Sequence, residues 1–372
     1  MLIGVPKEIK IDEYRIGMTP GSVRELVANG HEVLVQRNAG DPIGLHDEDY
    51  RRAGAELVDS AIEIFARAEL IVKVKEPQPE EVRHLREGQV IFTYLHLAAD
   101  PQLTAALADT GCTAIAYETV TDRFGGLPLL APMSEVAGRM SVQAGAHCLE
   151  IEQGGRGMLL GGVPGTPSAK VTILGGGVVG ANAARVAMGM EAEVTILDIS
   201  LHTLSLLDTH FGGGLNTVFS TVDNIHQYVL EADLLIGAVL VPGGATPRLV
   251  SEEMVKEMKK GAVLVDVAVD QGGCVATSHP TTHSNPTFKQ HEVVHYCVAN
   301  MPGAVARTSA FALNNATLPF VVALANNGAR QALAQDIHLR RGLNIHAGQV
   351  TYESVASATG LPYRKAESAL GC

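Results

Sequence analysis

One segment carries the pattern of a phosphate-binding turn. Val171–Leu174 reads as a short apolar strand, VTIL, and runs directly into Gly175-Gly176-Gly177-Val178-Val179-Gly180, a G-x-G-x-x-G that opens a helix. The three glycines do different things. Gly175 allows the tight turn, Gly177 lets the backbone approach a pyrophosphate, and Gly180 lets the helix pack on the strand. The N–H groups of the helix N-terminus, at Val178 and Val179, bring positive potential to the phosphates. The next strand, Val194–Leu197, is followed by Asp198, 18 residues after Gly180. A carboxylate there accepts the ribose hydroxyls and repels a 2′-phosphate, which favours NAD over NADP.

Ligands of such sheets lie outside the carboxyl ends of the strands. Those ends offer Ser220, Val239-Leu240, Val267 to Asp270, and Val298 to Met301 with Asn300 among them, as walls of the adenosine and nicotinamide pockets. Most supply backbone or apolar contacts; Asp270 is a carboxylate that faces the cleft. The first third of the chain has candidates of its own. Arg15 follows the first strand in a polar loop, where a guanidinium can fork onto a carboxylate. Lys75 ends the apolar strand LIVKVK, and Lys73, two residues earlier on the same face, is its rival; strand spacing does not choose between them. His96 follows the strand VIFTYL, and imidazole titrates near neutral pH. Tyr94, on that strand, is a candidate for the pocket wall.

The elements that must position these residues alternate. Strands are expected at Leu2–Val5, Glu32–Gln36, Leu70–Lys75, Val90–Tyr94 and Thr113–Ala116. Thr19-Pro20 opens a helix ending near Gly30, and Asp100-Pro101 opens one ending near Gly111. Strands apolar throughout and separated by helices imply parallel sheet covered on both faces. A long helix is expected over Ser134–Gln153, then a Gly/Pro-rich loop. Six strands follow, at Val171–Leu174, Val194–Leu197, Thr217–Phe219, Leu234–Ala238, Ala262–Asp266 and Val293–Val298, the number in a doubly wound dinucleotide domain. The tail from Thr308 offers helices and no convincing strand.

Composition narrows the class. With 372 residues, 46% of them hydrophobic, the chain suits two α/β domains. Forty acidic against 28 basic residues give a net charge of −12, poor for binding nucleic acid or an anionic membrane. Five scattered cysteines without a C-x-x-C pair speak against disulfides and structural zinc. His279, His283, His291 and His295 are dense, but Pro280, Pro286 and a strand interrupt them, so no metal site is expected. No secretory signal is visible at the N-terminus. The 22 uncharged residues from Thr308 to Ala329 include four Asn and Pro319, which suits a buried helix at a domain or subunit contact better than a membrane span. A soluble, cytoplasmic protein is expected.

Several long segments resemble the alanine dehydrogenase/nicotinamide nucleotide transhydrogenase family. GVPKEIKIDEYRIGMTPGSVRELVANGHEVLVQRNAG and VTILGGGVVGANAARVAMGMEAEVTILD are similar to its two signatures. VKVKEPQ, FTYLHLAAD, APMSEVAGRMS, DVAVDQGGC and VANMPGAVARTS match at similar spacing. The resemblance implies reversible oxidative deamination of L-alanine to pyruvate and ammonium with NAD. It implies that Arg15 and Lys75 hold the substrate, that His96 and Asp270 are catalytic, and that Ser134 touches the cofactor. It implies a substrate lobe of residues 1–129 and 308–372, an NAD-binding Rossmann domain at 130–307 inserted into it, and a homohexamer. Glu191, Thr203 and His279 depart from the family pattern; the last two replace basic residues expected near the cofactor. Three other readings are a transhydrogenase component, expected to continue toward membrane helices, a dehydrogenase for another amino acid or a secondary amine, and an NAD-binding scaffold, which has no use for polar groups gathered at strand ends.

Overall fold

The structure is a computed structural model and describes residues 1–239 and 246–371. The chain divides into two compact units, Met1–Met133 with Val305–Cys372, and Ser134–Ala304. In the first unit the chain lays down β1 (Leu2–Val5), β2 (Glu32–Gln36), β3 (Glu56–Val58), β4 (Leu70–Val72), β5 (Val90–Thr93) and β6 (Thr113–Ala116). The second holds β7 (Lys170–Leu174), β8 (Glu193–Asp198), β9 (Leu215–Phe219), β10 (Leu234–Gly237), β11 (Val263–Asp266), β12 (Thr287–Gln290) and β13 (Val293–Tyr296). Back in the first unit, β14 (Leu343–His346) and β15 (Gln349–Val350) complete its sheet.

The first sheet runs β15-β14-β6-β5-β4-β1-β2-β3 and the second β12-β13-β11-β10-β7-β8-β9. Each therefore contains a doubly wound parallel core whose strand order reverses beside its first strand, between β1 and β4 and between β7 and β10. The central strands β4, β5, β6, β10, β11 and β13 are buried along their whole length, as helices on both faces require.

Four details differ from expectation. The sheets are mixed, because β14, β15 and β12 pair antiparallel at the edges. Strands do occur after Thr308: β14 is only four residues long, ringed by turn residues, and takes its form by pairing with β6, a tertiary cause that local sequence does not announce. The long helix spans Ala131–Cys148, and Ile151–Gln153 is a separate 3₁₀ turn. The strand at Leu70 ends at Val72, so Lys73 and Lys75 lie just past it.

The uncharged stretch forms the helix Ala306–Asn327, long and apolar enough by composition to cross a membrane. Its inner face, including Leu313, Thr317, Val321 and Leu324, is packed inside the first unit. The buried Asn314 side chain accepts from the Thr19 N–H at 2.6 Å and donates to the Gly17 carbonyl at 3.1 Å. A lipid-facing helix would have no such partners to satisfy; here the amide clasps the loop that follows Arg15.

Candidate functional site

In the first unit Arg15, Lys75 and His96 follow the carboxyl ends of β1, β4 and β5, adjacent strands at the reversal of strand order. Arg15 is only 2% exposed. Glu13 accepts from its Nε at 2.6 Å and from its backbone N–H at 3.0 Å, and also pairs with Nη2. Met133 Sδ lies 3.0 Å from Nη1. Burial opposes the charge on Arg15, but the Glu13 carboxylate outweighs it and holds the guanidinium above its ordinary pKa. Burial likewise opposes the Glu13 charge, and Arg15 overcomes it and holds that carboxyl low. The fork that the sequence offers to a ligand is thus gripped along one edge by the protein, which fixes its plane.

The two lysines part company. Lys73 is 0% exposed, with Nζ 3.0 Å from Glu8 Oε2 and 2.7 Å from Glu81 Oε1. The other Glu8 oxygen accepts from the Val74 N–H at 2.6 Å. Lys73 is therefore committed to the interior, and its neighbour two residues on is the ligand candidate. Burial, and then the positive charges of Arg15 and Lys10, lower the pKa of Lys75.

His96 has φ of +51°, the left-handed region that a residue with a Cβ enters only when held there. Glu118 holds it: its carboxylate accepts from the Leu95 N–H at 3.2 Å and the His96 N–H at 2.6 Å. Glu118 Oε1 also lies 3.9 Å from His96 Nδ1, and the His96 side chain is 49% exposed. Tyr94 stacks on the imidazole, with centroids 5.8 Å apart and planes 9° apart, and its hydroxyl donates to the Leu129 carbonyl. Burial pushes the Tyr94 phenol above its ordinary pKa.

In the second unit the glycine turn follows β7. Gly175 has φ of +100°, and a Cβ at Gly180 would sit 1.9 Å from the Gly175 carbonyl oxygen. The helix Val178–Gly189 starts from Gly177 with no side-chain cap, and a Cβ at Gly177 would meet nothing within 4 Å. Open space before an uncapped helix N-terminus fits a dinucleotide pyrophosphate. Asp198 accepts from the Gly176 N–H at 2.7 Å and the Ser200 N–H at 2.8 Å, which ties the strand end carrying the acid to the turn.

The other strand ends of this sheet carry the remaining candidates. The Ser220 N–H donates to the Asp198 carbonyl at 3.0 Å. Val239 follows β10; Leu240 lies outside the described residues. Val267 opens the 3₁₀ turn Val267–Gln271, which bears the exposed Asp270. Asp270 Oδ2 accepts from the Asn300 N–H at 3.4 Å, and Asn300 itself has φ of +62°. Val298 and Met301 are buried in the core of the unit, so their side chains serve packing. Ser134 lies in the first turn of the helix Ala131–Cys148.

The dense histidines each have a partner of their own. His295 is bonded to Thr277 and to the Val293 carbonyl, His279 stacks on Phe288, His283 meets the Asn300 carbonyl and His291 meets Glu252. Thr203 packs its methyl against the glycine turn, 2.9 Å from where a Cβ of Gly176 would stand. Glu191 occupies φ of +64° in the turn before β8, a conformation that glycine takes more easily.

Sequence reasoning passed over Glu13, Glu118 and Asp266. Glu13 is two residues from Arg15, and Glu118 and Asp266 stand at or just past the ends of β6 and β11. The strand-end rule that selected Asp270 applies equally to the last two.

Comparison with known proteins adds an independent line. Residues 4–137 match the sequence model described as "Alanine dehydrogenase/PNT, N-terminal domain", and residues 141–353 match "Alanine dehydrogenase/PNT, C-terminal domain". The alanine dehydrogenase of Halomonas elongata is 60% identical over 371 residues, covering 100% of both chains. That of Bacillus subtilis is 56% identical, covering 100% of this chain and 98% of its own. A solved L-alanine dehydrogenase superposes with a TM-score of 0.94 at 54% identity, covering 97% of this chain and 99% of the other. A transhydrogenase from Sinorhizobium meliloti shares the fold, with a TM-score of 0.79 at 23% identity over 95% of this chain and 100% of its own.

Proposed function

From the premise that the chain belongs to the alanine dehydrogenase/PNT family, we propose that it is an NAD-dependent L-alanine dehydrogenase, interconverting L-alanine with pyruvate and ammonium. The observation that carries this reading is the gathering of Arg15, Lys75 and His96 at the adjacent ends of β1, β4 and β5, in a chain whose other unit bears a nucleotide-type glycine turn. A nicotinamide dinucleotide supplies the hydride acceptor for the substrate Cα. Gly175, Gly177, Gly180 and the amides of Val178 and Val179 would hold its pyrophosphate. Asp198 would hold the ribose hydroxyls, and so choose NAD. Ser134, Ser220, Val239, Leu240, Val267, Asn300 and the backbone of Val298 and Met301 would complete its walls.

The residues of the chain divide the remaining work. Arg15, its plane set by Glu13, and Lys75 neutralise and orient the substrate carboxylate, which aims the Cα–H bond. Loss of hydride from Cα requires a neutral amine, so Asp270, assigned to pair with the ammonium, takes one of its protons. Water must then add to the imine carbon. His96 takes the proton from that water as it adds, and the resulting carbinolamine collapses to the keto acid as its hydroxyl proton passes to the nitrogen and ammonia departs. Substrate carboxylate charge and two basic anchors explain why a small 2-amino acid is the substrate class.

The same reading includes a homohexamer in the cytoplasm, for which light scattering during gel filtration is the check. The decisive assay follows NADH absorbance with a panel of amino acids, then with pyruvate plus ammonium. NADH formation with L-alanine well above all others supports the assignment. Equal rates across the panel, or none, refute it.

A further inference from the structure

A buried acid stands four residues before Asp270. Asp266 is the last residue of β11 and is 0% exposed. Its Oδ1 accepts from the Ala268 N–H at 3.1 Å and lies 3.7 Å from the Cys274 thiol. Its Oδ2 accepts from the Cys274 N–H at 3.0 Å and the Val275 N–H at 3.3 Å. One donor comes before Asp270 and the others come after it. A single carboxylate thus pins both ends of the loop on which Asp270 rides.

The loop is closed around this anchor. Gly272 and Gly273 turn it back with φ of +96° and +75°, and a Cβ at Gly273 would come within 2.8 Å of Asp266 Oδ2. On the neighbouring strand, Gly237 pairs in register with Asp266, and a Cβ there would strike Cys274 Sγ at 2.3 Å. Burial raises the Asp266 pKa, while Ser278 and the loop amides pull against that rise. Burying a carboxylate is costly unless its donors are fixed in place, so the donors and the acid stabilise one loop geometry.

We propose that Asp266 is a positioning residue: by capping both ends of the 267–275 loop it fixes where the Asp270 carboxylate points. This rests on the catalytic reading of Asp270 given above. Asp266 touches no substrate; it acts through Asp270 alone.

The test is a double-substitution cycle on the full-length enzyme, with kcat in both directions, the NADH dissociation constant and the melting temperature as readouts. Asp266→Asn keeps the volume and one acceptor oxygen but turns an NH₂ toward amide donors. Alone it is expected to lower kcat at least about 10-fold, as misplacement of a reacting group does, with NADH affinity within about 2-fold of wild type. In an Asp270→Asn background it should cost less than about 2-fold more, since residues acting as one unit are not additive. Unchanged kcat in Asp266→Asn, or a double variant whose loss is the product of the single losses, overturns the proposal. If Asp266→Asn does not fold, Cys274→Ala removes one donor to Oδ1 without altering a charge. A fall in kcat that vanishes in the Asp270→Asn background then supports the proposal, and no fall overturns it. If Asp270→Asn alone keeps more than about a tenth of wild-type kcat, below the usual worth of acid–base help, the catalytic reading of Asp270 itself fails.

Discussion

The two units run the same parallel strand order and put their candidate residues at the same place, the carboxyl ends beside the reversal, yet they build there with different materials. The first unit uses charged side chains: Glu13 grips Arg15, Glu118 holds the backbone at His96, and Glu8 and Glu81 take up Lys73 and leave Lys75 as the ligand candidate. The second uses bare backbone at Gly175–Gly180, with Asp198 tied to the turn and Asp270 on its capped loop. A dinucleotide presents a pyrophosphate that main-chain amides can meet, so glycine suffices. A small amino acid presents little but its charges, so recognition must come from side chains, and these must be held in place by their neighbours. On the proposed function, one sheet topology would serve two ligands, with the loops and not the strands carrying the chemistry.

The contrast can be broken at several points. The largest losses are expected at the two residues assigned to proton transfer. His96→Ala and Asp270→Asn should each lower kcat by about 10²–10⁴-fold with NADH binding retained. Steady-state rates beside NADH fluorescence titration measure both quantities, and a matching loss of NADH affinity would make either residue structural. Next comes Gly180→Ala. A methyl 1.9 Å from the Gly175 oxygen must displace the turn, and a shift of that order should weaken NADH binding by roughly 10²-fold. Wild-type NADH affinity in that variant would remove the turn from the nucleotide site.

Smaller effects test the acids and bases at the margins. Asp198→Ala loses a charge-assisted ribose contact worth about 1.5–3 kcal/mol, so the NAD KM should rise about 10-fold or more and the gap to NADP should narrow. Unchanged NAD/NADP selectivity would count against this role. Lys75 gives the gentlest effect and the clearest sign. Its pKa lies below the ordinary 10.5, so rising pH removes its charge earlier than for a free lysine. Pyruvate affinity for the NADH complex, measured without ammonium, should fall with rising pH before 10.5 is reached. Lys75→Arg should move that fall to higher pH. A flat profile in the unsubstituted enzyme would dissociate Lys75 from the substrate carboxylate.

Much of this was legible in the sequence, and the parts that were not share a cause. β1, β2 and β6 read correctly to the residue because apolar runs between caps and glycines have no competing form. β3 is three residues long, β12 is the polar run TFKQ, and β14 follows a helix turn; each is a strand because a neighbour pairs with it. Arg15, Lys75, His96 and Asp270 were visible as polar residues after strands. Glu13 was not, because a buried glutamate looks like a surface one until burial is known, whereas Glu118 and Asp266 stand where the strand-end rule applies. The choice of Lys75 over Lys73 shows this well. Spacing leaves both open, the family resemblance favours Lys75, and the enclosure of Lys73 by Glu8 and Glu81 supports that choice.

The division of labour between the units is tested most directly by one variant read in two ways. Arg15→Ala is assayed for kcat/KM with pyruvate and for the NADH dissociation constant by fluorescence. Loss of a charge-assisted contact should cut kcat/KM by about 10–150-fold while NADH binding stays within about 2-fold of wild type. If NADH affinity falls as far as kcat/KM does, Arg15 does not serve the substrate carboxylate alone, and its assignment as a substrate anchor is wrong.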